Sequence, residues 1–318
     1  MIDFSYLVRG LDGLANAHRG GAMAGHPGAA LIAGYCFAEN HPGADSAIHR
    51  AIERDLERIL AGEEAFWIDR KSGLTTRELF EPLKAEPAGD DSGPEAIVEA
   101  LAGNLGRVRQ SGHNVIFATA AVRAFADHPD LATPERVRGV VRLVEGFDQA
   151  GPGRGYFGKA VGWKTGGEVV LPPSGATTGG TPTLDAAVEG VVDRVIATAG
   201  QHRQGFGGLF HLIDHAAGLV DLDQHGHVEA ARAGIAALSQ HGRLLDALPA
   251  LDEELGVLEK ADRDPLQPEY WARRESVQWS GWLTHRIKVL HGWDTILPVV
   301  ESAEKRQLAT AAFRYLLA

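Results

Sequence analysis

A chain of 318 residues, 44% hydrophobic and 23% charged, is long enough to bury a substantial core and has an ordinary globular composition. Its net charge of −11 argues against nucleic acid as a partner, because phosphate calls for a basic face. The single cysteine, Cys36, excludes an intrachain disulfide and a Cys-rich zinc site; between Tyr35 and Phe37 it reads as a buried, inert thiol.

Asp3, Arg9 and Asp12 interrupt any apolar run near the start, so no signal peptide is expected there. No stretch approaches the ~20 apolar residues of a membrane span, and the expected location is the cytoplasm. After a lead-in over 1–21 with one short helix, Pro27 opens an apolar helix over 27–35, where a missing N–H costs nothing. Ile48, Ile52, Leu56 and Leu60 recur at helical spacing and predict an amphipathic helix over 44–61. Residues 63–93 are polar and irregular. Helices follow over 95–110 and 114–126, and His128-Pro129 stops the second. Thr133-Pro134-Glu135 then reads as an N-cap and first turn of a helix to about residue 146.

The segment 151–182 is rich in glycine and proline and has no helical period, as expected of a functional lid or mobile linker. Residues 166–171 offer one short strand. Gly153-x-Gly155-x-x-Gly158 matches the dinucleotide-binding spacing only by count, since no strand precedes it and no long helix follows. Further helices are expected over 184–201, 209–220, 227–240, 242–258, 270–276, 284–299 and 301–317. The expected fold is therefore all-α: antiparallel helix pairs in one large domain over 1–318, with curvature or toroid-like closure as options.

Fourteen histidines are the chemical feature of the chain. His41, His128, His49, His202 and His241 read as loop ends, helix ends or polar helix faces. His225 and His227 read as a solvated turn with Asp221 and Asp223, or a surface metal site. Four other histidines sit near the starts of apolar helices: His26 after Gly25, His113 after Gly112, His211 after Gly207-Gly208, and His285 after Gly281. At His26 and His113 the helix dipole disfavours imidazolium and leaves the neutral ring that binds a metal or accepts a proton. Capping of the helix is the plainer alternative. His211 and His215 share one helix face and can present two nitrogens to one metal, or stand as satisfied core residues. Leu212 occupies the place of the zincin glutamate, so that motif is absent. Asp214 is open to a supporting or a surface role. His285, Lys288 and His291 follow at intervals of three among Trp282, Leu290 and Trp293. A buried lysine there is an ion-pair partner, a catalytic amine or a carbamylated metal ligand; otherwise its ammonium reaches solvent.

His285-x-Ile-Lys-x-x-His291-Gly-Trp-x-x-Ile-Leu-Pro and Gly208-Leu-Phe-His211-Leu-Ile-x-His215-Ala-Ala-Gly-Leu-Val resemble segments of the questin-oxidase-like family. Gly25-His26-Pro-Gly-Ala-Ala-Leu and Gly112-His113-Asn-Val-Ile are similar to two of its histidine-bearing helix starts. The family's early Asn-His reads Gly25-His26 here, Lys288 departs from the residue expected at its position, and the chain is shorter than typical members. The resemblance implies an all-helical oxygenase acting on polycyclic aromatic or quinone substrates, by oxidative ring opening or Baeyer–Villiger-type insertion. It implies His-bound non-haem iron, Fe(II), or reduced nicotinamide (NADPH) as helper. His26, His113, His211 and His285 would be metal ligands, with His215, Lys288 and His291 as further ligands or proton-transfer groups. Tyr35, Phe117, Phe210, Trp282 and Trp293 would hold the substrate, and Phe206 with 151–182 would close over it. A zinc-dependent hydrolase or lyase on the same histidines, and a non-enzymatic helical binding protein, are the competing expectations.

Overall fold

The computed structural model describes residues 1–83, 93–171, 182–272 and 281–318. Residues 172–181 of the glycine-rich segment, and the end of the helix expected over 270–276, lie outside the described residues. The described residues form α-helices joined by short 3-10 turns, plus one two-stranded sheet. In chain order the helices are α1 (Ser5–Asn16), α2 (Gly25–Asn40), α3 (Ser46–Leu60), α4 (Thr76–Leu79), α5 (Glu95–Ala102), α6 (His113–Asp127) and α7 (Pro134–Glu145). After the hairpin β1 (Arg154–Tyr156) and β2 (Trp163–Thr165) come α8 (Leu184–Thr198), α9 (Gly208–Gln224), α10 (Val228–Asp246), α11 (Asp252–Leu255), α12 (Pro268–Ala272), α13 (Trp282–Ile296) and α14 (Ala303–Phe313).

Four helices form the centre. α2, α6, α9 and α13 are apolar nearly all round, as a helix enclosed on every side must be, and their residues are almost all buried. They touch in the order α2–α6–α9–α13 and back to α2, which closes a ring. The amphipathic helices pack outside it: α1 on α2 and α7, α3 on α2 and α13, α10 on α9, and α14 on α8. A buried Arg136–Asp12 pair at 2.8 Å ties α7 to α1, and a buried Arg286–Asp55 pair ties α13 to α3. No helix among the described residues is long and apolar enough to cross a membrane.

Several expected elements change. α10 runs on to Asp246, so the helix expected over 242–258 is not formed; only α11 remains of it. The strand expected over 166–171 is not formed: Gly166–Glu168 is a 3-10 turn, because the Thr165 hydroxyl and Glu168 carboxylate close a capping box there, and 169–171 has no regular structure. The two strands lie just before it, paired antiparallel with Gly155 opposite Lys164. Thr133 precedes α7 as expected but makes no side-chain cap bond.

Candidate metal centre

His26, His113, His211 and His285 meet at the start of the four ring helices. The Nε2 atoms of His26 and His113 are 2.9 Å apart, those of His113 and His211 2.9 Å, and those of His211 and His285 3.2 Å. All four rings are buried. Each Nδ1 is held by a backbone carbonyl: Met23 for His26 at 2.8 Å, Gln110 for His113, Gly207 for His211 at 2.7 Å, and Gly281 for His285 at 2.6 Å. Since a carbonyl only accepts, each Nδ1 carries the proton and each Nε2 presents a lone pair. The lone pairs of His26, His113 and His211 thus converge, with that of His285 beside His211's, and an electron-pair acceptor between them would relieve the repulsion. Burial pushes all four rings towards the neutral form, His113 down to about 3, and the nearby Lys288 pushes the same way.

Left-handed turns aim these rings. Gly112, Gly207 and Gly281 precede α6, α9 and α13 with φ of 86°, 74° and 94°. A side chain at Gly207 would also put its Cβ 2.3 Å from the His211 ring. Gln110 and Ser111, and likewise Phe206, are left-handed without being glycine, a strain of about 1–3 kcal/mol each. The start of the glycine-rich segment braces both turns. Gln110 and Ser111 N–H donate to the Gly151 and Pro152 carbonyls at 2.7 and 3.1 Å, and Phe206 N–H donates to Arg154 O at 2.8 Å. The described part of that segment is therefore a strap, and Phe206, buried beneath it, is a core residue rather than part of a lid.

Two residues that the sequence reading passed over complete the first turns. Trp67 stacks on His26 with centroids 3.7 Å apart and planes 3° from parallel. Its indole N–H donates to Glu64 Oε2 at 3.2 Å, and the Glu64 carboxylate accepts the Leu283 and Thr284 N–H groups at 2.8 and 3.1 Å. Glu64 is thus a buried anion on the positive end of α13. Both lie in the polar stretch after α3, where an isolated Phe66-Trp67 pair was the available signal.

One turn further along, Lys288 and Asp214 lie side by side, both buried, with Nζ 3.9 Å from Oδ2. Burial pushes Asp214 up and Lys288 down, each tempered by the charge of the other. The Lys288 ammonium therefore does not reach solvent, and Asp214 is not a surface carboxylate.

The remaining candidates separate. His215 turns away from the four-ring cluster to His241, Nδ1 to Nδ1 at 3.3 Å, and His241 Nε2–H donates to Phe206 O at 2.8 Å. His241 is fully buried, contrary to the polar face expected for it, because α10 packs on α9 there. His49 is likewise buried, against the N-terminal amine at 2.7 Å. His291 lies two turns along α13 and accepts from Arg123 at 3.4 Å. Phe117 packs on His26 and His113, and Phe210 on His285, so these two aromatics border the cluster; Trp282 packs on Phe210. Tyr35 and Trp293 are not brought to it: Tyr35 packs on Phe4 and donates to Glu39, and Trp293 stacks on Phe313 at 4.3 Å. Cys36 is buried, which pushes its thiol up to about 12. No family model matches the chain, and neither a curated protein nor a solved structure is found to be similar to it. The site therefore stands on its own geometry, and His26, His113 and His211 could hold a metal ion.

Proposed function

We propose that His26, His113, His211 and His285 together hold one metal ion, and that the chain is an oxygenase of the questin-oxidase-like kind acting on an aromatic or quinone-like small molecule. The observation that carries the metal is the set of four inward lone pairs, each locked by a carbonyl on the opposite ring nitrogen. Two nitrogens ~2.0–2.1 Å from one ion lie about 2.9 Å apart at a right angle and about 3.4 Å at a tetrahedral angle. The two 2.9 Å spacings match right-angled positions, which leave others open, while the 3.2 Å spacing lies nearer the tetrahedral value. Imidazoles with open positions suit ferrous iron, and when bound that ion supplies dioxygen activation. Reduced nicotinamide would be the external electron donor.

The chain's own groups would do the rest. Phe117, Phe210 and Trp282 would supply apolar walls to a flat substrate admitted beside the imidazoles. Lys288 would hold or release a proton at Nζ, one turn from the ligands. Four helix starts pointing at one place favour negative charge developing there. Protein purified without added metal is expected to carry close to one iron per chain, and His113→Ala and His211→Ala to lose it. Zinc without iron would overturn the oxygenase reading and leave the metal centre standing. A metal-free protein whose ligand binding is unchanged in His211→Ala and His285→Ala would overturn both.

A further inference from the structure

The four ring helices share more than their histidines. A single cavity of about 40 Å³ is lined by Ala29, Ile32, Ala33 and Cys36 of α2, and by Ile116, Thr119, Ala120 and Arg123 of α6. Asp214, Ala217, Gly218 and Asp221 of α9, with Lys288, His291 and Gly292 of α13, complete the wall. Counted from each helix's own histidine, these are the same positions: three, six, seven and ten residues on, the last not contributed by α13. Equal offsets on four helices require them to run side by side in one direction, so the cavity follows the axis of the ring. From the Lys288 layer to the Arg123 layer is seven residues, about 10 Å at 1.5 Å per residue.

The wall is apolar at most positions but carries polar atoms at both ends. Lys288 Nζ, both Asp214 carboxylate oxygens, His291 Nδ1 and Arg123 Nε are buried with no hydrogen-bond partner among the described residues. Arg123 pairs with Asp221 at 3.1 Å and also lines an outer cleft with Asn40, His41, Gln224 and Asp294. A buried water occupies roughly 10–15 Å³ of such space and makes about three hydrogen bonds, so the cavity takes about three waters. At about three bonds each, that many waters can serve all five orphaned atoms.

We propose that this cavity is a solvent conduit: an internal chain of water molecules joins the Lys288–Asp214 pair to the outer cleft, and His291 with the Arg123–Asp221 ion pair forms its outer gate. Water is the ligand of this site, and the conduit gives the deepest polar layer of the ring a solvent route distinct from the aromatic walls around the imidazoles. The inference stands whether or not the histidines hold a metal.

A crystal structure showing ordered solvent, together with oxygen-17 relaxation of internal water in solution, tests it. Waters within hydrogen-bond distance of Lys288 Nζ, the Asp214 carboxylate and His291 Nδ1 are expected. Ala120→Leu, at a half-buried position on the wall, is expected to displace at least one of them and lower the internal-water relaxation amplitude. Ala33→Val on α2 serves the same purpose should the leucine prevent folding. A dry cavity with Lys288 bonded directly to Asp214, a molecule other than water in it, or an unchanged amplitude in a folded plugged variant would overturn the proposal.

Discussion

At the scale of single residues the ring tautomers decide the chemistry. Each of the four histidines spends its proton on a backbone carbonyl, which removes the donor that would let neighbouring imidazoles bond one another. The glycines behind them are equally specific. Gly207→Ala would need a left-handed alanine with its Cβ 2.3 Å from the His211 ring. The expected outcome is a loss of about 1–3 kcal/mol in chemical denaturation and loss of bound metal; an alanine variant with wild-type metal content would show that the turn does not aim the ring. Buried neutral histidines also set the pH dependence. Burial holds His241 at about 4 and His291 at about 3, whereas an unfolded histidine titrates near 6.5. Below about pH 6.5 the unfolded chain takes up protons that the folded chain refuses, so stability falls as pH falls from there towards 4. Each such residue contributes about 1.4 kcal/mol per pH unit in that window. Asp214 and Asp221, pushed up by burial to about 7 and about 6, work the other way in this window. Thermal melts from pH 7 to pH 5 should show the net decline, and His291→Leu should make it shallower; a slope unchanged in His291→Leu would contradict the burial of its neutral ring.

At the scale of elements, the first turns are held from outside. Glu64 joins Trp67 to the start of α13, and hydrogen bonds to a charged group are worth about 1.5–3 kcal/mol. Glu64→Gln keeps the shape and removes the charge. It is expected to cost about 1–2 kcal/mol of stability and to weaken metal retention without changing helix content by circular dichroism. The strap offers a second handle. A Cβ at Gly155 would meet Phe206 and Leu248 at 2.5 Å, so Gly155→Ala should push the Phe206–Gly208 turn out of place and lower metal affinity through His211. Unchanged metal affinity in a folded Gly155→Ala protein would mean the strap is dispensable. Apolar runs and their glycine breaks made the ring helices legible in sequence. The strap was not legible, because its partners in the turns at 110–111 and 206 lie far along the chain and its bonds are backbone bonds that carry no residue signature.

At the scale of the whole molecule, one direction shared by four buried helices gathers four histidines into one chain of contacts and extends a common stripe behind them. The histidines were readable because each sits beside a glycine at the start of an apolar run. The pairing of Lys288 with Asp214 was not, since it joins α13 to its neighbour α9, which lies far away in the chain. The burial of His241 depends in the same way on which face of α10 meets α9, and local periodicity does not settle that. Tyr35 and Trp293 show the converse: aromatic residues on ring helices, placed too far along them to meet the imidazoles, serve packing instead. The most direct measurement is anomalous diffraction above and below the iron absorption edge on crystals of the protein as purified. The account predicts one peak, present only above the edge, within ~2.0–2.3 Å of the Nε2 atoms of His26, His113, His211 and His285. Four ordered imidazoles with no metal density between them, or a metal bound elsewhere in the chain, would contradict it.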